Sequence, residues 1–369
     1  MGLSNSITEM LIRKAKTERR PVTVNMELLP LCNLDCRMCY IRSTPEETAS
    51  LGGLKTPGEW LRLAEEMREA DTLFLLLTGG EVFLYPGFRE LYEGLYKMGF
   101  ILTVNTNGTI IDREIVSWLR KYPPKCVSIS LYGADDKTYK NLCGREGMFT
   151  RVDRAVRLLQ EARIKTELKT LFTPLNAADA GRCIRYASEL GIPYETAVYA
   201  FPPVRRICAS EQIRFTPEEA VLYTFACNRM QSDDRQYEGE IIKYLRKYEA
   251  GRKNPGHTNY GLSCSAANSS CWITWQGRMT PCGMMDKPGT EPFRDGFMES
   301  WEKLKEKADA IVLSEVCSHC EKRSICTVCP ASAYAETGRF DKMSPYHCRM
   351  TELTLEKMYG YAETHHLKI

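Results

Sequence analysis

Between residues 22 and 199, short apolar or alternating stretches are separated by longer segments in which apolar residues recur every three or four positions. The first pattern predicts strands and the second predicts helices. We expect strands at Val22–Leu29, Thr72–Leu77, Ile101–Asn105, Cys126–Leu131, Lys165–Phe172 and Tyr194–Tyr199, and helices at about 56–70, 88–98, 111–121, 150–162 and 177–190. This regular alternation predicts an α/β fold with a parallel sheet and with ligand chemistry at the carboxyl ends of the strands.

Residues at the ends of these segments support the predicted boundaries. Thr56-Pro57-Gly58-Glu59 is typical of a helix start, with threonine as N-cap, proline in the first turn and glutamate three residues after the threonine. The continuous apolar run at Thr72–Leu77 predicts a strand buried on both faces, as in a parallel sheet.

The remaining segments divide the chain into five predicted parts. Residues 1–20 are expected to form an amphipathic helix, 21–204 the β/α core, 205–262 linking helices, 263–350 a small cysteine-rich domain, and 351–369 a C-terminal helix or tail. Linking helices are expected near 217–230 and 238–250, followed by a loop at Gly251–Gly261 that is rich in glycine, proline and asparagine. A chain of 369 residues is long enough for two domains.

Composition and charge exclude several classes of protein. With 43% hydrophobic and 26% charged residues, the chain resembles an ordinary globular protein. The net charge of +3 gives no indication of a nucleic-acid partner. No segment has the pattern of a signal peptide or a membrane span, so we expect a cytoplasmic protein without a membrane partner.

The sixteen cysteines are clustered: three lie at 32–39 and eight lie between Cys264 and Cys348. Without an export signal, such clusters indicate metal sites. Cys32, Cys36 and Cys39 have the spacing CxxxCxxC, and three ligands leave one metal position free for chemistry, whereas a structural four-cysteine site is closed. The prediction is an iron–sulfur cluster with one open iron. The alternatives are a zinc site completed by a distant ligand and unligated thiols in a reducing cell.

This stretch resembles the motif of the radical S-adenosylmethionine enzymes, CxxxCxΦC with Φ usually aromatic. Here Met38 occupies that position and the aromatic residue, Tyr40, follows one residue later. The resemblance implies a partial, open (β/α)6 TIM-like barrel with catalytic Cys32, Cys36 and Cys39. It also implies a 4Fe-4S cluster whose open iron binds S-adenosylmethionine, which one electron cleaves to a 5′-deoxyadenosyl radical.

Three further stretches resemble cofactor-binding segments of the same family. Gly79, Gly80 and Glu81 follow the second strand, as does the family's GGE motif that binds the amino group of the methionine moiety. Alone, these residues would indicate only a turn. Asn107 and Ser130, at the ends of the third and fourth strands, are expected to help to place the cofactor, although such serines are as often packing residues.

A segment before the fourth of these helices, 141–149, also fits part of the family. Many members carry an arginine where Cys143 stands, so either Arg145 replaces that residue or the contact is missing. Cys143 itself is read as a buried packing residue, and a reactive thiol is the alternative.

The second group of cysteines resembles the SPASM extension of these enzymes. Cys264 and Cys282 flank Gly277 in the expected arrangement, and a CxxC-x5-C-xx-C run and a distant cysteine follow. The family usually has three residues between the last two close cysteines, where this chain has two. The resemblance assigns one auxiliary 4Fe-4S cluster to Cys264, Cys271, Cys282 and Cys329, and a second one to Cys317, Cys320, Cys326 and Cys348. Two structural zinc sites are the alternative. Four ligands per cluster favour electron relay over substrate binding.

Relatives with this extension mostly modify peptides or proteins. We therefore expect an oxidoreductase that abstracts a hydrogen atom from a residue of a ribosomally made peptide and crosslinks or otherwise oxidises it, with flavodoxin or ferredoxin as electron donor. The chain reaches its first strand by residue 22, so leader binding would use a separate protein or the barrel and the extension. The alternatives are an anaerobic sulfatase maturase and an enzyme of tetrapyrrole or quinone-cofactor synthesis. Sulfatase-maturing relatives carry an aspartate where this chain has Gly283, which disfavours the first of these.

Overall fold

The computed structural model describes residues 3–203, 205, 213–253 and 261–369. Cys208 and most of the predicted loop at 251–261 lie outside these ranges. A single sheet of eight strands forms the centre of the fold. The strands are β1 (Thr23–Glu27), β2 (Phe74–Thr78), β3 (Ile101–Thr106), β4 (Cys126–Ser130), β5 (Thr166–Leu171), β6 (Tyr194–Ala197), β7 (Ser270–Ile273) and β8 (Met279–Thr280).

The first six strands are parallel and lie side by side in chain order, from β1 next to β2 through to β6 at the edge. The helices are α1 (Leu3–Glu18), α2 (Pro45–Ser50), α3 (Pro57–Glu69), α4 (Phe88–Lys97), α5 (Arg113–Lys121), α6 (Asp136–Cys143), α7 (Met148–Glu161), α8 (Ala180–Glu189), α9 (Pro217–Gln231), α10 (Asp234–Lys253), α11 (Pro292–Asp295), α12 (Phe297–Asp309), α13 (Glu315–Ser318), α14 (Pro330–Thr337) and α15 (Pro345–Thr364). The predicted partial (β/α)6 barrel is confirmed.

The expected start of α3 is present in full. The Thr56 hydroxyl accepts a hydrogen bond from the backbone N–H of Glu59 at 3.2 Å, and the Glu59 carboxylate accepts one from the backbone N–H of Thr56 at 2.7 Å. Pro57 occupies the first turn, where its missing N–H costs nothing. The helix then buries Trp60, Leu63 and Met67 against the sheet.

Two strands that the sequence pattern did not predict extend the sheet beyond β1. β7 pairs parallel with β1, with Val24 opposite Cys271, and β8 pairs antiparallel with β7. Both strands come from the predicted cysteine-rich domain at 263–350. That segment therefore begins as part of the barrel sheet and is not a separate module attached to it.

The predicted boundary between residues 350 and 351 falls inside α15. Ser344 caps this helix through a hydrogen bond with the backbone N–H of His347, and Pro345 fills its first position. The helix carries Cys348 in its first turns and continues to Thr364, where it packs on α9 and α10. The last cysteine and the C-terminal helix thus form one element.

No helix in the described ranges is both long enough and apolar enough to cross a membrane. The main core fills the space between the sheet and its helices, and it includes Val24 and Met26 of β1, both with no exposed surface. Side chains alternate along a strand, so Asn25 and Glu27 of β1 lie on the other, concave face of the sheet. The concave face is therefore partly polar, as a binding surface requires.

Candidate active site

A cavity of about 350 Å³ lies at the carboxyl ends of the barrel strands. It is lined by the cysteine loop after β1 and by the ends of β2 to β6, and the lining includes Cys32, Cys36, Cys39, Tyr40, Gly79, Gly80, Asn105, Asn107, Ser130, Tyr132, Lys169 and Glu195. The structure thus brings together every active-site residue that the sequence predicted, except Glu81.

The cysteine loop is held in place by backbone hydrogen bonds to the end of α6. The N–H of Asp35 donates to the carbonyl of Cys143 at 2.9 Å, and the N–H of Arg37 donates to the carbonyl of Leu142 at 3.0 Å. Gly144 ends α6 in the left-handed conformation with φ of +68°, directly against Asp35. Two distant segments therefore fix the conformation of the CxxxCxxC loop.

The sulfur atoms of Cys32 and Cys39 each accept a backbone hydrogen bond. The donors are the N–H groups of Leu34, at 3.4 Å, and of Arg42, at 3.3 Å. The pKa of Cys32 is raised to about 12, mainly by burial; the nearby Glu81 carboxylate adds to the rise and the N–H of Leu34 opposes it. Such a thiol ionises only when a cation compensates its charge, so the three thiols in one cavity, with N–H donors on two sulfurs, fit an iron–sulfur cluster.

Cys143 is a fourth thiol at this site. A hydrogen bond between the Cys36 and Cys143 side chains is the main cause of a raised Cys36 pKa, and burial adds to it. Both side chains are buried and Cys143 has no exposed surface. Cys143 therefore packs against Cys36 of the cysteine loop and does not line the cavity.

Gly79 and Gly80 allow the end of β2 to contact the backbone that follows β1. A Cβ atom on Gly80 would lie 2.2 Å from the carbonyl oxygen of Leu31, and one on Gly79 would lie 2.6 Å from that of Leu29. The N–H of Gly80 donates to the Leu29 carbonyl at 2.8 Å. Only glycine fits either position.

Glu81 is placed differently from the expected ligand of an amino group. Its carboxylate has no exposed surface and does not line the cavity. It accepts hydrogen bonds from the Thr106 hydroxyl at 2.7 Å and from the backbone N–H of Asn107 at 2.8 Å. Burial raises its pKa to about 7, although these hydrogen bonds lower it. In this structure Glu81 joins the ends of β2 and β3.

Asn107, whose backbone N–H binds Glu81, also contacts the cysteine loop. Its Nδ2 group donates to Asn33 Oδ1 at 2.9 Å and lies 3.5 Å from the sulfur of Cys32. Its Oδ1 atom accepts a hydrogen bond from the N–H of Thr109 at 2.9 Å. Asn107 thus lines the cavity and contacts the loop that carries Cys32.

Several lining residues were missed in the sequence. Lys169 of β5 lies 3.0 Å from Glu167 and 3.5 Å from Glu195 of β6, and both Lys169 and Glu195 line the cavity. Asn105 of β3 lines it too, and its buried Oδ1 atom has no hydrogen-bond partner. Their position at strand ends could have identified them, since the polar residues of parallel strands meet at one edge.

A buried ion pair lies beside the cysteine loop. Arg205 binds Glu27 through two hydrogen bonds of 2.7 Å, and its guanidinium lies 5.4 Å from the centre of the Tyr40 ring. The indole N–H of Trp272 donates to Glu27 at 3.0 Å. These contacts join the end of β1, the segment after β6 and β7.

Seven cysteines of the second group form two sets of electrostatic neighbours. The Cys282 thiol, whose pKa is raised mainly by burial, interacts with Cys329 and Cys264. The Cys348 thiol, also raised mainly by burial to a pKa of about 11, interacts with Cys326, Cys317 and Cys320. The second set contains the four cysteines assigned above to one site, and the first set contains three of the four assigned to the other, without Cys271. No disulfide bond joins any two cysteines in the described ranges.

The structure places Cys271, which the sequence assigned to the first auxiliary cluster, in the apolar core. Cys271 is opposite Val24 in the sheet and packs in the main apolar core with no exposed surface. Its neighbour Trp272 lies on the other face of β7, next to Glu27 and Gly283. Burial alone raises the pKa of Cys271. Its sulfur therefore belongs to the core and not to the Cys282 group.

Gly283 has no room for a side chain. A Cβ atom there would lie 2.9 Å from the Trp272 ring.

Among the described residues, no three His, Cys, Asp or Glu side chains lie close enough to ligate one metal ion. The ligands of an iron–sulfur cluster bind different irons and are spread more widely than those of one ion.

The profile of the Radical SAM superfamily matches residues 26–187, which contain β1 to β5 and the cysteine loop. Residues 26–187 therefore form a Radical SAM domain. The family implies a 4Fe-4S cluster and S-adenosylmethionine as cofactors, and the three thiols in the cavity fit that cluster.

Similar sequences include proteins of two kinds. The chain is 26% identical over 341 residues to the AdoMet-dependent heme synthase of Methanosarcina barkeri, which covers 88% of this chain and 96% of that protein. It is 30% identical over 142 residues to the antilisterial bacteriocin subtilosin biosynthesis protein AlbA of Bacillus subtilis, covering 38% of this chain and 31% of AlbA.

Two solved structures share the fold at low sequence identity. Native anSMEcpe with bound AdoMet superposes with a TM-score of 0.67 at 16% identity, covering 93% of this chain and all 100% of that one. SuiB of Streptococcus suis bound to its precursor peptide SuiA gives a TM-score of 0.63 at 16% identity, covering 91% and 78%.

Proposed function

We propose that this protein is a radical S-adenosylmethionine oxidoreductase that removes a hydrogen atom from a residue of a peptide or protein and oxidises that residue. Cys32, Cys36 and Cys39 hold the catalytic cluster, which with S-adenosylmethionine supplies the 5′-deoxyadenosyl radical when both are bound. The observation that carries the proposal is the single cavity in which these thiols meet the glycines after β2 and the polar ends of β3 to β6.

The lining residues have separate parts in this proposal. Gly79 and Gly80 present backbone to the methionine moiety of the cofactor, and Asn107 holds the loop that carries Cys32. Ser130 and the unpartnered Oδ1 atom of Asn105 offer hydrogen bonds to the cofactor. Glu81, which is buried, orients Asn107 and does not bind the amino group itself.

The shape of the cavity favours a peptide substrate. Its volume of about 350 Å³ is near the lower end of the range for small-ligand pockets, so S-adenosylmethionine would take up most of it. The proposal places the substrate side chain beside Tyr132, Lys169 and Glu195, which line the cavity. The printed names of AlbA and of SuiB with its precursor peptide are consistent with such a substrate.

Synthesis of a tetrapyrrole is the second candidate, because the heme synthase of Methanosarcina barkeri matches this chain over nearly its whole length. A tetrapyrrole is a larger and more rigid body than a side chain. It would need the cavity to open well beyond its present volume. Sulfatase maturation is disfavoured because Trp272 occupies the space that a side chain at Gly283 would need.

We further propose that the second cysteine group holds two auxiliary 4Fe-4S clusters that carry electrons away from the oxidised substrate. Cys317, Cys320, Cys326 and Cys348 hold one, and Cys264, Cys282 and Cys329 contribute to the other. Flavodoxin or ferredoxin would supply the electron that cleaves S-adenosylmethionine. Residues 21–204 are proposed as the radical domain and 263–350 as the auxiliary segment.

The first experiment compares anaerobically reconstituted wild type with the Cys32→Ala/Cys36→Ala/Cys39→Ala variant. We expect about twelve irons per chain in wild type and about eight in the variant, with 5′-deoxyadenosine released under dithionite by wild type only. A matched control, Cys183→Ala, alters a buried cysteine outside the site and should retain both properties. Two zinc ions in place of the auxiliary iron, with no product from wild type, would contradict the proposal.

The substrate class is tested with deuterated peptides encoded beside the gene and, in parallel, with iron coproporphyrin. Deuterium transfer from a peptide into 5′-deoxyadenosine, with loss of hydrogen from the peptide, supports peptide oxidation. Transfer from the tetrapyrrole alone would establish the second candidate instead.

A further inference from the structure

A second cavity, of about 550 Å³, forms a groove on the cysteine-rich part of the chain. It lies between the loop after Cys282, the end of α12 and the end of α14. Its apolar base includes Ile311 and Phe340, and Phe340 stacks on Tyr334 with ring centres 4.8 Å apart. The groove is open to solvent, and the stacked rings of Tyr334 and Phe340 form one of its apolar sides.

The edge of this groove is basic. Lys287, Lys307 and Arg339 line it, together with one carboxylate, that of Asp341. The groove therefore holds an excess of two positive charges, whereas the whole chain of 369 residues has a net charge of only +3. A concentration of cations in one place attracts an acidic partner surface.

The basic side chains are held in position. The Lys287 ammonium lies 4.9 Å from the centre of the Tyr334 ring, and Lys307 donates to the Gly289 carbonyl at 3.0 Å. Arg339 forms two hydrogen bonds with Asp341, at 2.8 and 2.7 Å. Side chains fixed in this way lose less conformational entropy when a partner binds.

The base of the groove lies close to the thiols of the first auxiliary set. Ile311, Met285 and Ala331 form one buried apolar cluster, and Phe340, Cys282 and Cys329 pack against it. Only one layer of side chains separates the groove from Cys282 and Cys329. A redox centre held by these thiols would be close to whatever occupies the groove.

We propose that this groove docks the acidic surface of a small electron-carrier protein. The inference rests on the proposed function, in which the auxiliary site accepts the electron released by substrate oxidation. One electron would pass from that site to the oxidised carrier, which is reduced by one electron, and no bond would form or break in the step. Electron-transfer complexes have small interfaces, which suits a groove of this size.

An acidic segment of a peptide substrate is the competing occupant, since it would have the same charge. The short distance between the groove and the thiols of Cys282 and Cys329, one layer of side chains, favours the electron carrier. A peptide that only needs to be held has no reason to lie beside Cys282 and Cys329, whereas electron transfer requires such proximity.

The test measures binding of purified oxidised flavodoxin, an acidic electron carrier, to reconstituted holoenzyme immobilised under anaerobic conditions. The variant is Lys287→Glu/Lys307→Glu. The matched control is Lys97→Glu/Lys121→Glu, which reverses two exposed lysines of α4 and α5 that do not line the groove. Binding is measured at low salt and at about 0.3 M salt, where exposed charges are screened.

We expect flavodoxin to bind wild type and the control alike at low salt, and the groove variant at least about tenfold more weakly, with the difference lost at high salt. Equal binding by the groove variant and wild type overturns the proposal. Equal weakening in both variants also overturns it, because the effect would then follow net charge. Loss of affinity for a substrate peptide with unchanged flavodoxin binding assigns the groove to the peptide and overturns it as well.

Dithionite separates this proposal from the proposed function. Dithionite reduces the enzyme without a carrier, so the groove variant should retain wild-type iron content and 5′-deoxyadenosine release. If wild type itself releases no 5′-deoxyadenosine with dithionite, the proposed function fails whatever the binding data show.

Discussion

Arg205 binds both carboxylate oxygens of Glu27 at 2.7 Å, in a place where Glu27 has no exposed surface. The pair connects the end of β1 to the segment that follows β6, on the two sides of the open barrel. Desolvation of two charges offsets much of their attraction, so such a pair adds little net stability, but loss of one partner leaves an unpaired buried charge.

We therefore expect Arg205→Met to lower the free energy of unfolding by about 3 to 5 kcal/mol. Glu27→Leu/Arg205→Met, which removes both charges, should recover most of that loss. As a control, Arg157→Met removes the exposed ion pair with Asp153 and should change stability by less than about 1 kcal/mol. Urea unfolding of the four proteins provides the measurement, and a double variant no more stable than Arg205→Met would contradict this account.

The close approach at Gly80 predicts a severe effect of one methyl group. In Gly80→Ala the new Cβ atom would lie 2.2 Å from the Leu31 carbonyl oxygen, so the cysteine loop must move. We expect loss of S-adenosylmethionine binding in calorimetry and lower iron content after reconstitution. Gly239→Ala in α10, where a Cβ atom meets nothing within 4 Å, should instead stabilise the protein by about 0.5 to 1 kcal/mol. Normal S-adenosylmethionine binding by Gly80→Ala would show that the close approach of Gly80 to Leu31 is not required for cofactor binding.

The raised pKa of Glu81 predicts a dependence of stability on pH. Because burial raises the pKa from 4.5 to about 7, the folded protein binds the proton more tightly than the unfolded chain between these values. Stability from this group is therefore present at low pH and is lost as pH rises towards 7. Between pH 5 and pH 8 the loss is roughly 2 to 3 kcal/mol, so the free energy of unfolding of Glu81→Gln should fall less than that of wild type over this range. Parallel curves for the two proteins would rule out titration of Glu81.

Trp272 limits what position 283 can hold. In Gly283→Asp the side chain would collide with the indole ring, so we expect a loss of about 1 to 3 kcal/mol in stability and a change in tryptophan fluorescence. Gly239→Asp, on an exposed face of α10, is the control for an added carboxylate. A stable Gly283→Asp variant that converts a sulfatase-derived peptide would restore the sulfatase alternative.

The placement of Cys271 in the core predicts that it is not a cluster ligand. Cys271→Ala should keep the iron content of wild type and lose stability only by the small volume of the thiol. Cys282→Ala should lose iron, up to about four atoms per chain, if Cys282 holds an auxiliary cluster. The iron content of both variants is the measurement. Equal losses of iron would show that Cys271 is a ligand of the same cluster as Cys282.

The strand and helix positions of the barrel could be predicted because the strands are short apolar or alternating stretches separated by segments with helical periodicity. The thiols of the first motif were also predictable, since their spacing alone places them in one loop. β7 was not predictable: Ser270–Ile273 is only four residues long and follows no alternation, and its pairing with β1 depends on tertiary contact. The burial of Glu81 could not be predicted from the sequence either. The motif Gly-Gly-Glu is the same whether the glutamate side chain faces a ligand or the next strand.

Cys271 illustrates the same point for a metal site. In the sequence it is one thiol among eight, and only the register of β7 shows that it faces the helices while Trp272 faces the concave side. The alternation of side chains along a strand decided which of two neighbouring residues could reach Cys282.

The pairing of β7 with β1 also bears on how this protein is made. The Asn25 side chain donates to the carbonyl of Cys271, a residue 246 positions later in the chain. While the ribosome is still producing the middle of the protein, β1 is therefore an unpaired edge strand, exposed to association with other chains. Synthesis of the C-terminal third closes that edge, so a fragment that stops before residue 270 would aggregate even though it contains the whole radical S-adenosylmethionine domain.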